Sequence, residues 1–161
     1  MPKHVRAVPE GCHTVTPYLT VRGADRAVEF YKRAFGAKEQ MRMPGPGGNG
    51  IMHAELKIGD SRVFLSDEFP DMGCRSPQSL GGTASSLHLY VKDVDAAFKK
   101  AVAAGAQVKM PVADMFWGDR YGKLIDPFGH EWGIATHKED LTPQEISKRA
   151  KAFFAQMAKP Q

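Results

Sequence analysis

The feature that most constrains this chain is that it carries one pattern twice. Residues 14–21 alternate polar and apolar side chains, as a half-buried strand does. A helix pattern follows from about Asp25, with Ala27, Val28, Tyr31, Ala34 and Phe35 on one face and Gly36 as its stop. Residues 85–91 alternate in the same way. A second helix then starts at Asp93, turns Val94, Ala97, Phe98, Ala101 and Val102 inward, and ends at Gly105. A shift of roughly 70 residues lays Leu19 on Leu89, Val21 on Val91, Asp25 on Asp95, Ala27 on Ala97 and Ala34 on Ala104. After a one-residue slip Gly36 meets Gly105, Ala37 meets Ala106 and Met41 meets Met110, and the first shift returns at Gly59 and Gly129. Two long copies imply a duplicated module; a solenoid needs several shorter units.

Each helix pattern is followed by three strand patterns. The first copy has 38–43, 51–58 and 62–66, the last two joined by the turn Gly59-Asp60. The second has 107–115, 121–125 and 131–136, with Asp126-Pro127-Phe128-Gly129 turning into the last. The glycine-rich stretch 44–50 is a hairpin loop. It lacks the Lys-Ser/Thr ending and the following helix of a phosphate loop. The expected fold is α+β: two tandem βαβββ modules forming a cupped eight-stranded mixed sheet, with the helices on its convex side. Module one spans about 13–67, a connector 68–83 and module two about 84–137, within one domain over 1–161. A C-terminal helix over about 142–158 opens on a capping box, Thr142 with Glu145, and has Pro143 in its first turn. Its stripe Ile146, Ala150, Phe153, Phe154 and Met157 needs a cover, either this domain or a second subunit.

Composition narrows the function classes. With 42% hydrophobic and 25% charged residues, the chain is neither disordered nor fibrous. It has no apolar run of membrane-spanning length, and its start has no signal-peptide core, so no membrane partner is expected. Two cysteines, Cys12 and Cys74, are too few for a disulfide framework, and the expected location is cytoplasmic. The net charge of +4 is spread among alternating acids and bases; only Lys148, Arg149 and Lys151 cluster. A solvated helix face accounts for them, and no nucleic-acid partner is expected. There is no nucleophile elbow around a serine, and neither cysteine has the surroundings of an activated thiol.

The segments RAVEFYKRAFGA, KDVDAAFKKAVAAGA and DPFGHEW, set in the doubled βαβββ order, resemble the vicinal-oxygen-chelate superfamily. That superfamily holds glyoxalase I, bleomycin-resistance proteins and extradiol dioxygenases. TPYLTV, HAELKIGDSRVFLSDE and FWGDRYGKLIDPFGHEW are similar to its PhnB-like branch, and the resemblance covers about 14–136. It implies paired modules and a homodimer. It also implies metal ligands on the first and last strands of each module, at positions that fall here on Thr16, Val63, Ser86 and Gly133. None of these side chains is a usual ligand for a divalent cation, so neither metal nor other cofactor is expected.

The alternation of strand 86–91 puts Ser86, His88 and Tyr90 on the cup face, and that of 51–58 puts His53, Glu55 and Lys57 there. Tyr18, the repeat partner of His88, joins them. Met115 to Tyr121 adds Trp117, Arg120 and Tyr121, an aromatic wall with one cation that suits a planar or anionic small molecule, or else Phe116 and Trp117 seal the core while Asp119 pairs with Arg120 at the surface. The candidate ligand-binding residues are therefore Tyr18, His53, Glu55, His88, Tyr90, Trp117, Arg120 and Tyr121. Glu55 is the candidate general base, the alternative being a salt-bridged carboxylate. His4, His13, His130 and His137 read as surface residues near ends or turns. The expected function is binding of a small organic molecule in the cup, with sequestration of a toxic compound as one use. One alternative is a metal-dependent lyase, isomerase or dioxygenase whose ligands have shifted to His53, Glu55 and His88. The other is a non-catalytic interaction module.

Overall fold

A computed structural model describes residues 5–158, so His4 lies outside the described residues. The first unit comprises β1 (Tyr18–Val21), α1 (Ala24–Phe35), β2 (Lys38–Pro44), β3 (Ile51–Ile58) and β4 (Ser61–Asp67). A connector carries a short helix α2 (Pro77–Leu80). The second unit comprises β5 (Ser86–Tyr90), α3 (Val94–Ala104), β6 (Gln107–Asp114), β7 (Asp119–Ile125) and β8 (Glu131–His137), and α4 (Pro143–Met157) follows. The architecture is the α+β tandem duplication that the repeat implies. The eight strands are bonded as two four-stranded mixed sheets, ordered β1-β4-β3-β2 and β5-β8-β7-β6. In each, the first strand runs parallel to the last. The ladder of β1 opens with the Phe64 N–H donating to Pro17 O at 2.9 Å, a bond that needs no N–H from the proline. No helix among the described residues is long and apolar enough to cross a membrane.

One face of each sheet is apolar and covered by helix. Leu19, Val21, Ala54, Leu56, Val63 and Leu65 are buried with Ala27, Val28, Phe30, Tyr31 and Ala34 of α1, as the alternation of β3 and β4 demands. Helices α1 and α3 pack on one another and join the two halves. Their starts are anchored alike. Asp67 at the end of β4 accepts from the N–H groups of Gly23 and Ala24, and Thr136 at the end of β8 accepts from that of Val94.

The second junction is the turn after β7. The buried carboxylate of Asp126 accepts from Tyr31 Oη at 2.7 Å, Trp132 Nε1 at 2.9 Å, and the N–H groups of Phe128 and His130 at 2.9 and 3.0 Å. Around it Phe35 meets Trp132 at 4.5 Å between ring centres, and Phe30 meets Phe128 at 6.0 Å. His130 belongs to this junction as well, and not to the open surface: Nε2 lies 2.9 Å from Thr20 O in the other half.

In the connector, Glu68 accepts from Arg22, Ser79 Oγ and the N–H of Ser76, which caps α2. These donors hold its carboxyl down to about 2. The capping box of α4 forms as the sequence suggests, with Thr142 and Glu145 bonding reciprocally. No described residue of α4 is buried. Phe153 meets Phe116 at a tilt and Phe154 meets it edge-on, at 5.5 and 5.9 Å between ring centres, and Phe154 stays 58% exposed.

Candidate functional site

The faces away from the helices carry the polar and aromatic residues. In the first half Tyr18 Oη bonds His53 Nδ1 at 2.8 Å, and His53 Nε2 lies 3.4 Å from Glu55 Oε1. Arg62 Nη1 donates to Glu55 Oε2 at 3.2 Å. Glu55 is therefore an ion-paired carboxylate between an imidazole and a guanidinium. Burial pushes the Tyr18 phenol above its ordinary value, and the Ser66 hydroxyl offsets part of this.

In the second half His88 stacks on Tyr121, with centres 5.5 Å apart and planes at 5°, and touches Tyr90 at 4.7 Å. Trp117 meets Tyr121 edge-on at 5.8 Å. These rings are organised by Asp119, a carboxylate only 4% exposed. It accepts from Tyr90 Oη at 3.1 Å and Trp117 Nε1 at 3.2 Å, and bonds His137 Nδ1 at 2.7 Å. His137 Nε2 meets Asp140 at 2.9 Å, and the two carboxylates hold the imidazole above its ordinary value. Partial burial and Asp119 together raise the Tyr90 hydroxyl.

Asp119 thus does not pair with Arg120. Strand β7 begins at Asp119, so Arg120 shares its parity with Gly122 and Leu124 and turns to the helix side. There it forks onto both oxygens of Asp95 at 2.7 and 2.8 Å and reaches Asp114 at 3.2 Å. The cation expected over the cup is a brace for the start of α3.

The positions expected to carry metal ligands also need one adjustment. Tyr18 stands opposite Phe64 in β4, and His88 opposite Gly133 in β8. Phe64, not Val63, is therefore the counterpart of Gly133. Val63 is buried toward the helices, because the turn before β4 is shorter than the one before β8. Thr16, Phe64, Ser86 and Gly133 remain a set without metal donors. At Gly133 the space is taken: an added Cβ would stand 2.7 Å from the Tyr121 ring and 3.1 Å from His88 Nδ1. Among the described residues no three His, Cys, Asp or Glu side chains gather into a metal-sized cluster, and His88 is not brought together with His53 and Glu55.

A cavity of about 600 Å³ lies between β1 and β5, two edges that are not hydrogen-bonded to each other. Thr16, Tyr18, Ser86 and His88 line it from the cup-face parity; Leu19, Leu87, Leu89 and Trp132 line it from the core parity. Arg62, Ser61 and His13 complete one wall. Of the eight expected ligand residues only Tyr18 and His88 line this space. His53 and Glu55 stand behind Tyr18, and Tyr90, Trp117 and Tyr121 continue the ring ladder from His88. Arg62 and Trp132 were missed, and His13, expected at the surface, is exposed at the cavity wall. Arg62 was legible, since it alternates with the apolar Val63 and Leu65 in β4.

Comparison with known proteins agrees with the fold. The profile of the Glyoxalase/Bleomycin resistance protein/Dioxygenase superfamily matches residues 11–134. An uncharacterized protein of Mycobacterium bovis is 45% identical over 135 residues, covering 82% of this chain and 88% of its own length. TioX from Micromonospora superposes with a TM-score of 0.60 at 30% identity, over 78% of this chain and 98% of its own. The PhnB protein of Bacillus cereus superposes at 0.59 and 19% identity, over 77% and 99%, a likeness of fold.

Proposed function

Since the chain belongs to the Glyoxalase/Bleomycin resistance protein/Dioxygenase superfamily, we propose that it binds a small organic molecule in the cavity between its two modules, without the metal that many members use. The observation that carries this reading is the cavity of about 600 Å³, walled by both modules and lined at two of the four expected ligand positions by Thr16 and Ser86, which are not usual metal ligands. Its polar rim and its floor of Leu87, Leu89 and Trp132 suit a molecule with one polar end and one apolar body. Sequestration needs nothing more, and no reaction is assigned. The protein acts in the cytoplasm as a homodimer, and the exposed Phe153, Phe154 and Met157 favour a partner surface over α4.

The test combines metal analysis with ligand screening. Purified protein should hold well under one equivalent of zinc, iron, manganese or nickel per chain. After chelation it should still be stabilised thermally by members of a small-molecule library. Ser86→Trp, which fills the cavity from the rim, should abolish that stabilisation. Close to one metal per chain, lost on His88→Ala, would overturn the metal-free reading. Hits that survive Ser86→Trp would move the site elsewhere.

A further inference from the structure

The cavity has a polarity of its own. Among the described residues its lining holds one arginine, Arg62, two histidines, His13 and His88, and the hydroxyls of Thr16, Tyr18, Ser61, Ser85 and Ser86, with no aspartate or glutamate. The acids nearest the cup are already committed: Glu55 to Arg62 and His53, and Asp119 to Trp117, Tyr90 and His137. Arg62 is committed only in part. One Nη donates to Glu55, whereas Nε is buried without a hydrogen-bond partner among the described residues. A guanidinium carries five N–H groups in a planar fork; Nε is covered by the chain, whereas Nη2 makes no hydrogen bond among the described residues and is left for an oxyanion. Gly11 packs closely on the guanidinium, where a Cβ would stand 3.1 Å from Nη2 and 3.3 Å from Nε, so the absence of a side chain there lets Arg62 lie in place.

We propose that this cavity selects organic anions, a carboxylate, sulfonate or phosphonate on an apolar body. Arg62 anchors the anionic group, hydroxyls and imidazole N–H groups complete its shell, and Leu87, Leu89 and Trp132 receive the body. The inference rests on the small-molecule reading above and adds the charge of the ligand. An oxyanion matches the arginine fork in two-point geometry, which a neutral ligand does not.

Two fluorescent probes of one shape separate the two ideas: 8-anilinonaphthalene-1-sulfonate, an anion, and N-phenyl-1-naphthylamine, its uncharged relative. The folded protein should bind the sulfonate saturably, with one site per chain, and at least tenfold more tightly than the amine. Arg62→Gln should weaken the sulfonate at least tenfold and change the amine less than twofold. If Arg62→Gln melts at the assay temperature, Thr16→Asp takes its place: a carboxylate on the cavity wall should give the same selective loss. Equal binding of the two probes, or a sulfonate affinity indifferent to both substitutions, would overturn the anion assignment and leave the small-molecule reading standing. Binding of neither probe would overturn both.

Discussion

Tyr31→Phe tests the bond that ties the first half of the chain to the second. The hydroxyl is fully buried, and it is one of four donors around the carboxylate of Asp126. A hydrogen bond to a charged group contributes about 1.5–3 kcal/mol, and removing the oxygen leaves Asp126 with Trp132 Nε1 and two backbone N–H groups. At a loss of about 2 kcal/mol, a domain of this size should melt about 4–8 °C lower. Asp126→Asn should cost more, about 3–5 kcal/mol, because its amide turns a donor toward groups that are themselves donors. The two substitutions share one bond, so the double variant should be more stable than their sum by about 1–2 kcal/mol. The alkaline limb gives a second readout. Burial and the Asp126 charge hold the Tyr31 phenol well above 10.0, so the native state favours the protonated form. Its contribution is complete below pH 10 and is lost as pH rises toward the folded value. Melting curves between about pH 7 and 11 should therefore fall less steeply above about pH 10 in Tyr31→Phe. A variant that melts within about 1 °C of the parent, or a double variant that is simply additive, would refute the reasoning.

Leu89→Asp places a charge in the layer that packs against the core and should leave no cooperative melting transition. His88→Ala, on the opposite face, should lose only ring stacking, about 0.5–1.5 kcal/mol. Gly133→Ala should destabilise by about 1–3 kcal/mol, because its Cβ meets the Tyr121 ring, and Tyr121→Ala in the same chain should relieve part of that cost. Glu68 titrates at about 2 in the folded chain against 4.5 ordinarily, so its contribution is present above pH 4.5 and lost as pH falls toward 2. Melting of Glu68→Gln should accordingly depend less on pH between about 5 and 2.5.

The elements were legible because each declares itself through a periodicity. The alternation in 51–58 and 86–90 sorts Ala54 and Leu56 from His53 and Glu55 without reference to any other part of the chain. Register across the repeat was less legible, since it depends on turn length. The two-residue turn at Gly59-Asp60 and the longer turn at 126–130 shift β4 against β8 by one residue, which put Val63 where Phe64 stands. Arg120 was misplaced for a related reason. With the strand taken to begin at Tyr121, the residue before it had no parity, whereas β7 starts at Asp119 and commits Arg120 to the helix side. Whether His53 and Glu55 reach His88 was not legible at all. Alternation assigns a face within a sheet and carries no information about the distance between two sheets. The role of Asp119, read at most as a surface partner of Arg120, was not legible because its partners, Tyr90, Trp117 and His137, come from three separate stretches of chain.

Gly133 also restricts the order in which this protein can change. A carboxylate or imidazole at that position and the ring of Tyr121 cannot occupy the same space, because even a Cβ comes within 2.7 Å of the ring. A donor introduced at 133 alone therefore arrives in a destabilised chain, and it finds neither Thr16 nor Ser86 able to share a cation. Shrinking Tyr121 first removes the stack that supports His88. A route toward a metal-binding descendant that opens at Gly133 or at Tyr121 thus begins with a loss, and the aromatic packing acts as a ratchet on that strand of the site.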